Sequence, residues 1–173
     1  MLVMCWDRCG DVLVGMFEER EIGVLRSYAD GLLALLGHRA RSYTPVALGE
    51  GRSALVPDSA ASDPRLLAML VELLGPDEPD WVFGWHEVAC FGAAVDAARA
   101  VLATLPPGGG RVVLWGAADV RAWRLVISLC VAAIRAVTDD EGRACGKDAG
   151  TTVGWLETVA SGLVTVSCVE VGR

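Results

Sequence analysis

His86 and Cys90 lie four residues apart in a stretch with helical period, so an imidazole and a thiol share one helix face. A histidine at that spacing can hold a cysteine as its nucleophilic thiolate, and the two groups are also soft ligands for an ion such as zinc. Cys5 and Cys9 near the N-terminus add two further soft ligands. Their spacing is not that of a common zinc knuckle, and no second Cys/His pair is close in sequence. The expectation is therefore core or surface thiols, with no metal, no cofactor and no catalytic residue beyond the candidates His86 and Cys90.

The other acid–base groups are few. His38 follows the expected end of the first helix, where an imidazole interacts with free carbonyls, and Asp139-Asp140-Glu141 reads as a solvated helix end. Gly108-Gly109-Gly110 comes after a helix and before a strand. A phosphate loop needs the reverse order and a Lys-Ser/Thr, which is absent.

Six tryptophans are the excess that could serve binding. Trp81 and Trp85, with Phe83 between them, could line an apolar pocket or a partner interface, because large aromatics concentrate at both. They also serve to fill a core rich in alanine and glycine. Leu125 and Leu129 lie on the outer side of the fourth predicted helix, which makes them candidates for a face covered by another molecule.

The elements that must position these residues are legible from periodicity. Asp11 to Phe17 can bury alternate side chains as a strand, with Val12, Val14 and Met16 on one face. A helix follows through Ile22, Leu25, Ala29, Leu32 and Leu36, with Gly37 as its C-terminal cap. Residues 38–62 have no period and contain prolines, glycines and serines, which describes a long loop. Asp63-Pro64 opens a second helix, closed by Gly75-Pro76. A third helix from about Trp81 repeats through Val88, Phe91, Val95, Ala98, Leu102 and Leu105. Arg111 to Trp115 is a strand that runs into a fourth helix, where Trp123, Ile127, Cys130, Ile134 and Val137 form one apolar stripe. After a glycine-containing loop at 139–150, Trp155, Val159, Leu163 and Val166 line a fifth helix whose β-branched end could instead be a strand. The expected architecture is a single, mainly α domain over 1–173, bundle-like with about five helices and a small two-stranded β element.

Composition bounds the function class. The chain has 173 residues, 53% of them hydrophobic, and a net charge of −7. Residues 51–100 hold three basic and eight acidic side chains, most of that imbalance. An acidic surface disfavours nucleic acid, since phosphate contacts need lysine and arginine. The apolar run from Leu125 to Ile134 is ten residues between two arginines, against about 20 to span a bilayer. With no secretory signal at the N-terminus, the expected setting is cytoplasmic and the six cysteines are expected to be free thiols.

Four segments, Phe17 to Gly37, Asp63-Pro64 with its leucine-rich helix, VLATLPPGGGRVVL leading to Ala122-Trp123, and Trp155 to Val166, carry a resemblance. In order and pattern they resemble an actinobacterial family known as a domain of unknown function, number twenty-seventeen, some of whose members are labelled transcriptional regulators. The chain looks divergent within it. Where the family pattern has a Glu-Phe-Arg run in the third helix and an Asn-Asp-Leu-Arg run in the fourth, this chain has Val88-Ala89-Cys90-Phe91 and Ile127-Ser128-Leu129-Cys130.

The expectation is a non-catalytic protein-interaction or regulatory factor, acting on another protein or by self-association, a homodimer included. Its binding residues would be Trp81, Phe83, Trp85, Leu125 and Leu129. The alternative is a small-molecule-binding protein or specialised enzyme with a tryptophan-lined pocket near His86 and Cys90. The absence of a helix-turn-helix signature and the acidic charge rank DNA binding below both.

Overall fold

A computed structural model of the chain describes residues 6–49, 51–75, 80–141 and 148–167, with side chains over 6–49, 51–75, 86–138 and 150–164. Among the described residues the chain is mainly α, with five helices and two small antiparallel sheets. Strand β1 (Trp6–Cys9) turns into β2 (Val12–Phe17), and helix α1 (Glu19–Ala40) follows. Strands β3 (Tyr43–Gly49) and β4 (Arg52–Pro57) precede α2 (Pro64–Leu74) and α3 (Asp80–Thr104). Strand β5 (Gly110–Trp115) leads directly into α4 (Gly116–Glu141), and α5 (Asp148–Ser167) is the last described element.

The two expected strands do pair: β2 runs antiparallel to β5 with Val14 opposite Val113. The β element is larger than expected, because β1 adds a third strand on the far side of β2. The inner face of β2 is the one opposite Val12, Val14 and Met16. Leu13 and Phe17 are buried while Met16 is 60% exposed. The choice is made by Trp6, whose ring stands edge-on to Phe17 at 5.6 Å and to Trp123 at 5.5 Å. Gly15 permits this crossing, since a Cβ there would lie 2.8 Å from the Phe17 ring and 2.9 Å from Trp6. Trp6 also donates its indole N–H to the Val159 carbonyl at 3.3 Å, tying the sheet to α5.

Helix α4 lies at the centre, packed against α2, α3 and α5. Trp123, Ile127 and Cys130 of its stripe are buried, and Val126, Leu129 and Val131 are buried as well. Burial therefore extends round most of the helix. Trp123 gives its indole N–H to the Thr104 hydroxyl at 2.9 Å, which satisfies the one polar atom of a ring otherwise surrounded by apolar neighbours. The abrupt passage from β5 into α4 needs the φ of 81° at Gly116, a conformation that a side chain disfavours. Its first turn is fixed by Asp119, whose carboxylate accepts the Trp115 backbone N–H at 2.6 Å.

Two segments differ from expectation. Gly37 does not cap α1, which continues through Ala40 because Arg39 in the last turn is held by a buried ion pair. The long loop at 38–62 contains the hairpin β3–β4. Helix α2 begins as read, with the Asp63 carboxylate accepting the Arg65 backbone N–H at 2.9 Å and Pro64 in the first turn. Helix α5 remains helical through Ser167. Among the described residues, no helix is long and apolar enough to cross a membrane.

Candidate functional site

The side chains of Trp81, Phe83 and Trp85 lie outside the described residues, as does Cys5. His86 is exposed on α3 and Cys90 is half-buried one turn further on. Burial pushes the Cys90 thiol up, away from the thiolate that nucleophilic attack requires. Cys9 is exposed on β1. No group of three His, Cys, Asp or Glu side chains among the described residues is arranged to hold a metal ion. His38 sits inside the last turn of α1, not beyond it, with its Nδ1 3.1 Å from the Arg41 guanidinium.

Leu129 is a core residue, fully buried within the single chain on a helix packed against α2, α3 and α5. It is not available to a partner, and the expectation that it belongs to an outer face is corrected. Leu125, one turn earlier, is half-buried and lines an open trough between α4 and α5.

A dense polar cluster forms where the sequence carries no local signal. Arg39 Nε meets Glu87 Oε1 at 2.5 Å and Nη2 meets Oε2 at 3.1 Å, a two-pronged pair whose side chains are 7% and 2% exposed. Nη2 also donates to the Ser59 carbonyl at 2.6 Å, and Nη1 to the Ser42 hydroxyl at 3.1 Å. The Tyr43 hydroxyl donates to Glu87 Oε1 at 3.0 Å, and its ring lies under the guanidinium at 5.8 Å. The Glu87 carboxylate, which hydrogen-bonds Arg39, raises the guanidinium above its ordinary value and keeps it charged. Burial pushes the Tyr43 hydroxyl up, and its bond to the carboxylate adds to the shift. This network fixes the base of the β3–β4 hairpin against α1 and α3. The Thr44 hydroxyl bonded to Asp58, and the Asp58 N–H bonded to the Ser42 carbonyl at 2.8 Å, close it further.

Beyond that base the hairpin is a ribbon. Val46 pairs with Ala54 and Pro45 with Leu55, so Val46 and Leu55 stand on opposite faces. Val46, Leu48 and Leu55 are 44%, 53% and 51% exposed. A two-stranded ribbon is marginal in water without a helix or further strands to cover it. Here the chain fixes the foot and leaves apolar side chains in solvent further along. The hairpin had a signal in the sequence: two runs of strand-forming residues flank Gly49 and Gly51, which have φ of 88° and 73°. Arg39 and Glu87 had none, being 48 residues apart.

Searches of curated proteins and of solved structures give no match to the chain. A family profile does match, over residues 3–165, and it covers every element of the fold from the first strand to most of α5. On that match the chain belongs to the family described as Domain of unknown function (DUF2017).

Proposed function

We propose that this chain is a non-catalytic protein-interaction factor, and that the β3–β4 hairpin is its contact arm. The observation that carries the reading is the exposure of Val46, Leu48 and Leu55 on a ribbon whose foot is locked by Arg39, Glu87 and Tyr43. A rigid foot lowers the ordering cost of binding, and exposed apolar side chains supply the driving force. A partner that takes the arm on both faces covers three half-exposed aliphatic side chains, which returns about 3 kcal/mol before the cost of association. The burial that disfavours a Cys90 thiolate weighs against the enzyme alternative.

A photo-crosslinking amino acid placed at Leu48 in cells, with Asp30 on the exposed side of α1 as the control position, tests this. The expected result is a covalent adduct from position 48 that disappears when Val46→Ser and Leu55→Ser are introduced. An adduct of twice the chain mass identifies self-association, and any other mass identifies a different protein. Crosslinking no greater than at Asp30 rules out the arm as the contact surface.

A further inference from the structure

On the side of the molecule where Leu125 is found, α4 turns Arg121, Arg124, Leu125 and Ser128 outward at helical spacing. They floor an open trough of about 420 Å³, walled by Glu72 of α2 and by Ala160 and Val164 of α5. Arg121 and Arg124 also border a second cleft of about 270 Å³ beside the β1–β2 turn, which adds Arg8, Asp11 and Leu13. The two share Arg121 and Arg124, and their α4 lining runs from Gly116 to Ser128, about 18 Å at 1.5 Å per residue. Three of the fourteen arginines of a chain with net charge −7 thus border the cleft at the start of α4. Among the described residues, Arg121 and Arg124 make no hydrogen bond or ion pair.

We infer that this groove binds an acidic peptide segment, with carboxylates on Arg121 and Arg124 and an apolar side chain over Leu125 and Val164. Guanidinium forks favour carboxylates through paired, charge-assisted hydrogen bonds. The other end of the groove is unsuited to an anion, because Glu72 is already bonded to the Ser128 hydroxyl at 2.7 Å. Asp11 at the outer rim opposes a carboxylate there, which places the acidic group nearer Arg121 and Arg124. The binding direction follows: acidic residues toward the first turn of α4, apolar residues toward α5. The trough is open along its length, whereas a small molecule needs most of its surface enclosed. A peptide can lie in it with one side in water. A nucleic-acid backbone meets the same arginines but gains nothing from Leu125 and Val164.

Fluorescence anisotropy with a labelled hexapeptide of alternating glutamate and leucine tests the site on the full chain. Saturable binding is expected, weakened at least tenfold by Arg121→Glu with Arg124→Glu and by Leu125→Asp, and weakened by salt. Both arginines are exposed, so the double variant keeps its fold, which circular dichroism checks. Equal binding of a glutamine–leucine peptide, displacement by millimolar inorganic phosphate, preference for anionic phospholipid vesicles, or affinity unchanged in the double variant would each overturn the inference. Val46→Ser with Leu55→Ser leaves the peptide affinity unchanged, so the groove and the arm stand or fall separately.

Discussion

Replacing Glu87 isolates a buried cation. With Gln at this position the shape is kept and an acceptor remains, but Arg39 loses its counter-charge at a site where the two side chains are 7% and 2% exposed. Breaking a buried ion pair by removing one partner costs about 3–5 kcal/mol, because the remaining charge is neither solvated nor paired. Glu87→Gln is expected near the lower figure. Glu87→Ala is expected near the upper one, since it also strips the Tyr43 hydroxyl of its acceptor and opens a cavity. For a chain of this size about 3 kcal/mol lowers the melting temperature by about 6–12 °C. Urea denaturation measures the loss, and native-state hydrogen exchange locates it. The backbone amides of residues 43–57 should lose protection first, because the network is what anchors them. A triple variant, Arg39→Met with Tyr43→Phe and Glu87→Leu, should recover most of the stability, since it removes both buried charges together with the hydroxyl that depends on Glu87. A loss below about 1 kcal/mol in Glu87→Gln, or hairpin amides no less protected than in the native chain, would refute the idea that this pair holds the arm.

Two further expectations follow from the same packing. The Tyr43 hydroxyl is raised above its ordinary value in the folded chain, so its contribution is complete below about pH 10 and is lost as pH rises toward the folded value. Tyr43→Phe should cost about 1 kcal/mol at neutral pH and flatten the alkaline fall in stability, read from urea midpoints across the alkaline range. Gly15→Ala drives a Cβ to 2.8 Å from the Phe17 ring and 2.9 Å from Trp6. It should destabilise by about 1–3 kcal/mol and shift the near-ultraviolet circular dichroism of the Trp6, Phe17 and Trp123 cluster, whereas an unperturbed spectrum contradicts this account of the glycine.

Periodicity carried a long way where a helix has one wet and one dry side. Helix α2 was legible because Asp63-Pro64 marks its start and Leu66 and Leu70 its buried stripe. Helix α4 was legible as a helix but not in its surroundings. A stripe through Trp123, Ile127 and Cys130 is the same whether one neighbour or three pack on it, and the burial of Leu129 follows from the several helices packed on α4. Strand β2 alternates apolar side chains on both faces, so its sequence left the buried face open until Trp6 occupied one side.

The candidate sites divide in the same way. His86 and Cys90 are close in sequence and chemically versatile, yet His86 is exposed and Cys90 is held away from its reactive form by burial. Leu125 has an outward helix position in the sequence pattern and does line a groove. The arginines that give the groove its charge come from β1 and from α4, and only folding sets them side by side.

By itself the sequence determined the order of the helices, the two strands that pair, the acidic balance and the family pattern, because these depend on residues near one another in the chain. The tertiary structure decided the third strand, the hairpin within an apparent loop, the Arg39–Glu87 lock and the basic end of the α4 groove. The lock and the groove join groups distant in sequence, fixed by packing and by the cost of burying a charge alone, whereas the third strand and the hairpin pair neighbouring segments that no apolar period marks.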